Sequence, residues 1–228
     1  MTDKNSIVVY SAEDLTITFP APSCHLTEKE TSKTRSLIKE TSIYTPDSKG
    51  YLNTKSLPHL MGTDKKGTNR FYNNLDNVDK FENGAERYAS IESVTKEVSK
   101  RLQEPRDTLQ RERLRDSENC INAFRDAPEL EKIREIEESK NRKEQSNLKF
   151  KKIRLENIKN CQLSGDPLEK DAHAHHIERR ADKPRLARDL NNIVVANQNP
   201  HDEVHRENAE SREELKKLCE KKGWNDPT

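Results

Sequence analysis

Apolar residues fall into short, separated clusters along this chain, and their spacing orders the elements. Ile7 to Tyr10 and Leu15 to Phe19 are β-prone runs. In the second, Leu15, Ile17 and Phe19 alternate with Thr16 and Thr18 until Pro20 and Pro22 end it, which predicts a hairpin or loose strand pair. Thr27 to Ser48 offers few apolar anchors among Ser, Thr, Lys and Glu and reads as a linker or marginal helix. From Gly50 to Leu75, the group Leu57, Leu60 and Met61 precedes Gly62, and Phe71, Tyr72 and Leu75 follow Gly67. Two short helices about a glycine-containing turn fit this spacing, with Lys65, Lys66 and Arg70 near the second. One reading is a helix-turn-helix; the other, commoner for two apolar clusters split by glycine, is a helical hairpin without DNA contact.

Within Ala85 to Gln103, residues Ile91, Val94, Val98 and Leu102 recur every three or four residues, the mark of an amphipathic helix that Pro105 interrupts. Helical pattern resumes over Thr108 to Phe124, and Pro128 opens a further helix with Glu129 and Glu131 in its first turn. Ile133, Ile136, Leu148, Ile153 and Leu155 give it only a thin stripe, which suits a coiled coil or spacer arm better than a core. The mixed charges of Arg101 to Arg115 read as a DNA-tracking helix or, the favoured reading, a solvated face with i, i+4 ion pairs. Lys149, Lys151, Lys152 and Arg154 are less diluted by acids and are better candidates for phosphate contact.

Further on, Cys161 to Gly165 is a turn, Glu169 to Ile177 a candidate strand, Glu178 to Leu190 a loop, and Ile193 to Val195 a second strand. Asn199-Pro200, followed by Asp202 and Glu203, predicts a helix start with Asn199 as cap. Ser211 and Glu214 are spaced as a capping box for a last helix, in which Leu215 and Leu218 face inward before Gly223, with Trp224 closing the small core.

Composition qualifies this picture. Only 30% of the 228 residues are hydrophobic and 36% are charged, against about 45–50% and about 25% in ordinary domains. Long solvated helices or disordered stretches are therefore expected. Net charge is +1, so any affinity for a polyanion must come from local basic clusters. The N-terminus lacks the pattern of a secretory signal and no apolar run reaches membrane-spanning length, so a soluble, cytoplasmic protein with no membrane partner is expected. Cys24, Cys120, Cys161 and Cys219 are too scattered for a four-cysteine zinc site and fit a reducing compartment.

Candidate chemistry is concentrated between Asp171 and Glu207, where five of the seven histidines lie: His173, His175, His176, His201 and His205. His201 and His205, four apart on the expected helix, present their imidazoles from one face. Neighbouring His175 and His176 point to opposite sides of a regular strand, so both can face one ion only if the strand ends or twists there. A metal site with a base beside it follows. Nearby, Arg179, Arg180, Lys183, Arg185 and Arg188 against Asp182 give an excess of four positive charges over ten residues, a nucleic-acid contact or a mobile basic loop.

Strand, loop, strand and helix with histidines at both ends resemble an HNH endonuclease of the ββα-metal class. AHHIERRADKP, LNNIVVAN and HDEVH are similar to the nuclease domains of DNase colicins. The likeness covers Cys161 to Glu207 and says nothing of residues before Lys149. It implies that His175, His201 and His205 hold one divalent ion, that His176 is the general base, and that Asn192 ties the loop holding it; Asn191 leaves that register open by one. Two departures stand out: His173 occupies the place of an acidic residue, and the loop between His176 and Asn192 is one residue longer than expected.

The implied reaction is metal-dependent hydrolysis of phosphodiester bonds in DNA, with RNA left open. A divalent ion stabilises charge on the phosphate and leaving oxygen, and imidazole can act as base near neutral pH. Three histidines suit Zn, Ni or Mn better than Mg, which prefers oxygen. The alternative is a non-catalytic DNA-binding or assembly protein with a structural metal site. The expected fold is α+β: residues 1–84 an N-terminal region, partly disordered with a small helical hairpin, 85–160 a charged helical arm, and 161–228 the HNH nuclease domain. Further partner expectations are self-association through the arm and, were the chain a toxin, an immunity protein. The setting, phage or mobile element, defence or toxin, stays open.

Overall fold

Short strands and amphipathic helices build the first of two units, Met1–Glu135 and Ile136–Thr228. The structure is a computed structural model and describes residues 8–228; Ile7 lies outside them. The architecture is α+β, with long helices preceding a small C-terminal β-hairpin and helix unit.

In the first unit, β1 (Tyr10–Ser11), β2 (Ile43–Tyr44), β3 (Gly50–Asn53), β4 (Lys80–Asn83) and β5 (Glu86–Ser90) form an antiparallel sheet in the order β1-β2-β3-β5-β4. Tyr10 pairs with Tyr44, so β1 does not form the expected hairpin with Leu15 to Phe19. That run forms no strand; its alternation instead turns Leu15, Ile17 and Phe19 toward the core.

Helix α1 (Glu28–Thr41) occupies the stretch read as a linker. The reason is chemical: its inward face is Thr31, Thr34 and Ile38, and the two threonine hydroxyls donate to the carbonyls of Glu28 and Glu30. With their polar atoms satisfied inside the helix, these threonines pack as small branched residues. A full capping box starts α1, Thr27 Oγ1 accepting from Glu30 N–H at 3.4 Å and Glu30 Oε2 from Thr27 N–H at 3.0 Å. On the same helix, Arg35 makes a two-pronged pair with buried Asp116 at 3.1 and 3.2 Å.

The glycine-separated clusters form α2 (Leu57–Leu60) and α3 (Lys65–Asn73), with Gly62 between them at φ +57°. A second left-handed glycine, Gly84 at φ +60°, turns the β4–β5 hairpin. Part of that hairpin lies within the Ala85 to Gln103 stretch; α4 (Ile91–Leu102) starts only at Ile91, capped by the Ser90 hydroxyl. Helix α5 (Thr108–Arg125) buries Leu114, Ser117, Cys120, Ile121 and Phe124. It belongs to the first unit's core with Leu52, Leu57, Leu60, Met61, Val94, Val98 and Leu130.

Residues 85–125 therefore do not behave as an arm, and residues 8–84 are mostly folded into the sheet and its helices. The two units meet in sequence inside α6 (Pro128–Glu156), not at 84/85 or 160/161. The cause of the difference is the α5 stripe: serine and cysteine at inward positions thin the apolar signal without preventing burial.

In the second unit, β6 (His173–His176) pairs antiparallel with β7 (Ile193–Ala196), placing His175 opposite Val194 and His176 opposite Ile193. Along the unpaired side of β7, Gln162 donates its N–H to Val195 O at 2.9 Å, and its Oε1 accepts Val195 N–H at 2.8 Å. Helix α7 (Gln198–Arg206) begins two residues earlier than expected, with Asn197 rather than Asn199 at its cap. Asn197 does not cap through its side chain; Oδ1 accepts from Glu169 N–H and Nδ2 donates to Pro167 O, at 3.0 Å each. Helix α8 (Arg212–Lys222) starts at Ser211, with Glu214 accepting from the Ser211 hydroxyl and Glu210 N–H, and ends on left-handed Gly223. Leu163, Ile177, Val194, Val204, Leu215 and Leu218 form this unit's core, with Trp224 packed on it. No helix among the described residues is long and apolar enough to cross a membrane.

Candidate metal centre

Each histidine is aimed by its element. His175 sits inside β6 and points to the α7 side, where His201 and His205 arrive from successive turns of one helix. Their potential ligand atoms all lie within 4.8 Å of one another. Ring centroids are 5.6 Å apart for His175–His201, 5.1 Å for His175–His205 and 4.5 Å for His201–His205, all edge-on.

The donor set fits a divalent ion. Nε2 of His201 and Nε2 of His205 are 3.2 Å apart. Two nitrogens bound to one tetrahedral zinc at its usual bond length would lie about 3.3 Å apart. Nε2 of His175 is buried without a hydrogen-bond partner, an arrangement costly to leave uncompensated. Burial, followed by the neighbouring imidazoles, pushes the His175 pKa down to about 4. The same causes lower His201, so both rings are uncharged at neutral pH and their lone pairs are available. His173 stacks on His201 at 4.7 Å and 20°, packing the outer side of that ring.

His176, at the end of β6, faces the other way. Its Nε2 lies 3.0 Å from Ala187 O. A carbonyl only accepts, so Nε2 carries the proton and Nδ1 keeps its lone pair. Ala187 belongs to the connection between β6 and β7, and Asn192 holds that connection. Buried Asn192 accepts from Glu178 N–H at 2.8 Å and donates to Glu178 O at 3.0 Å and Leu186 O at 3.3 Å. Asn191 is exposed, and its backbone N–H donates to Asp189 Oδ1 at 2.9 Å.

Four residues of α6 contribute a second support that sequence reasoning missed. Asn141 donates to Pro184 O at 3.2 Å, Gln145 to Ala187 O at 3.1 Å, Lys149 to Ala172 O at 2.8 Å and Lys152 to Leu190 O at 2.8 Å. Their spacing of four, four and three puts them on one helix face, a signal hidden because the face is polar. Lys149 and Lys152, expected to touch phosphate, thus hold the chain around the site. Lys152 is buried and also pairs with Glu156 at 3.0 Å.

The basic connection is partly neutralised within its own unit. Arg179 pairs with Glu210 at 2.8 Å, and Arg188 pairs with Glu137 and, at 3.5 Å, with Glu144. Arg180, Lys183 and Arg185 are exposed. No protein-family model matches the chain, and neither a curated protein nor a solved structure matches it. What stands is a C-terminal β-hairpin and helix with a clustered histidine triad capable of ligating a metal, the layout of a generic ββα-metal fold.

Proposed function

We propose that the second unit is an HNH endonuclease hydrolysing phosphodiester bonds in DNA. The observation that carries this reading is the split of one adjacent histidine pair: His175 joins the three-imidazole cluster while His176 is tied through Nε2 to Ala187 O. A purely structural metal site requires the first arrangement and gives no reason for the second.

In this reading His175, His201 and His205 hold one divalent ion, of which Zn, Ni and Mn suit the nitrogen set and Mg suits it less. When bound, the ion supplies charge stabilisation at the phosphate and the leaving oxygen. His176 Nδ1 takes the proton of the attacking water, its ring held by Ala187 O and by the connection that Asn192 fastens. Exposed Arg180 and Lys183 contact the backbone phosphates; Arg179, Arg185 and Arg188 do so by exchanging their present partners.

Plasmid nicking with added divalent metal tests the assignment. His176→Ala lowers the rate by about 10²–10⁴-fold while metal stoichiometry is kept, whereas His201→Ala loses the metal. Unchanged nicking by the His176 variant rejects the base; stoichiometric metal in the His201 variant rejects the ligand set. A protein that holds metal but never nicks is the non-catalytic alternative.

A further inference from the structure

We infer that the first unit has its own contact for duplex DNA, the outer face of α3. The choice of polymer rests on the nuclease reading; the surface itself does not.

Thr68, Phe71 and Tyr72 turn α3 inward, Thr68 and Tyr72 being buried. At 100° per residue Lys66, Arg70 and Asn73 then lie on the opposite face with Asn69 at its flank, and Lys65, on the Tyr72 side, is exposed in the first turn. All five are cations or amides, and the helix contains no acidic residue. Lysine and arginine neutralise phosphates, and arginine and asparagine read base edges.

The cations of this face also stand without carboxylate partners. Several arginines of the first unit are matched to carboxylates, Arg101 with Glu97, Arg106 with Glu104, Arg113 with Glu30 and Arg115 with Glu112, while exposed Arg111 bonds the Arg106 carbonyl. Among the described residues, Lys65, Lys66 and Arg70 have no ion pair or side-chain hydrogen bond. Beside them Arg87, from β5, lies 5.1 Å from the Tyr72 ring centre and donates to Asn69 Oδ1 at 3.4 Å, adding a fourth cation. The nearby carboxylate of Glu86 is occupied by Lys55 at 2.5 Å and Asn53 at 3.0 Å.

The helix is presented firmly. Leu57, Leu60 and Met61 of the preceding turn are fully buried, and Gly62 reverses the chain. Asp64 Oδ1 then accepts Gly67 N–H at 2.6 Å to start α3. A helix about 10–12 Å across fits the roughly 12 Å major groove of B-DNA. The deep, narrow major groove of RNA does not admit it, so duplex DNA is the ligand.

The test is anisotropy of a short labelled duplex titrated with the full chain carrying His176→Ala, over a series of KCl concentrations. Replacing Lys65, Lys66 and Arg70 together with Ala should weaken binding roughly tenfold or more at low salt. It should also reduce the slope of log K against log salt by about 2.7, three phosphate contacts' worth. A control replaces Lys29, Lys33 and Lys39 of α1, the same loss of charge, and should change the slope far less. Equal effects of the two triple variants, or an unchanged slope in the α3 variant, overturn the inference. Tighter binding of duplex RNA than of duplex DNA overturns the choice of ligand. Nicking separates the two readings: wild-type protein that binds through α3 but never cuts refutes the nuclease alone, and an α3 variant that binds like its parent while wild-type protein cuts refutes this inference alone.

Discussion

The two units solve one problem, holding a functional helix or loop in place, with different materials. In the first, α3 rests on an apolar core in which Leu57, Leu60, Met61, Ile121 and Phe124 are fully buried. In the second, the connection carrying Ala187 and Asn192 is held largely by amides and ammonium groups of α6 donating to main-chain carbonyls. A chain so poor in apolar residues can therefore still order a long connection, provided that each buried donor meets an acceptor. The difference predicts opposite sensitivities. The first unit should respond to lost volume, the second to lost donors.

The largest effect is expected from Phe124→Ala, which should cost about 3–5 kcal/mol and lower the melting of the first unit only, read by calorimetry. A matching loss in both transitions would show that the units do not melt separately. Next, zinc at about 100 times its dissociation constant should stabilise the second unit by about 2.7 kcal/mol over the EDTA-treated protein. The first unit's transition should not move. Asn192→Ala leaves Glu178 N–H buried without its acceptor and should cost about 2–3 kcal/mol, confined to the second unit. Lys152 sharpens the contrast further: Lys152→Ala should cost about 1–2 kcal/mol, and Lys152→Met distinctly less, because an apolar chain of similar length refills the space.

Acid should separate the units most gently. In metal-free protein, the His175 pKa is depressed from 6.5 to about 4, so its contribution to stability is complete above pH 6.5 and is lost as pH falls through 4. Glu30 in the first unit is held at about 2 instead of 4.5, first by the Thr27 N–H and hydroxyl and then by Arg113. Its contribution is complete above 4.5 and is lost toward 2. Melting of the EDTA-treated protein followed between pH 7 and 3 should thus lower the second unit first; the reverse order would break the assignment.

Much of the second unit was legible in the sequence because its signals are local: histidines four apart on α7, the apolar run of β7, the Ser211 and Glu214 cap, the glycine that ends α8. The triad His175, His201 and His205 was named from the resemblance that these local segments carry, and the structure brings their ligand atoms together. What stayed hidden depends on partners remote in sequence. Strands of two to five residues, such as β2 and β5, acquire their identity only from pairing, here Ile43 with Tyr51 and Tyr51 with Ser90. Helix α1 was obscured because its buried positions are threonines. In α6, Asn141, Gln145 and Lys152 look like a solvated face until their carbonyl acceptors, 38 to 43 residues away, come into view. The charge of the basic connection was misjudged for a related reason: Glu137 and Glu144, which engage Arg188, lie too far upstream to enter a local count.

The cysteines carry a consequence for experiment. All four are free thiols: Cys24 is exposed, Cys120 lies in the core of the first unit, and Cys161 and Cys219 lie in that of the second. A thiol-reactive dye should label Cys24 at once. It should reach Cys120 only when the first unit opens, and Cys161 or Cys219 only when the second does. Peptide mapping of labelled sites over time would then time the opening of each unit in the unmutated chain, and a bound metal ion or DNA duplex would show which clock it slows.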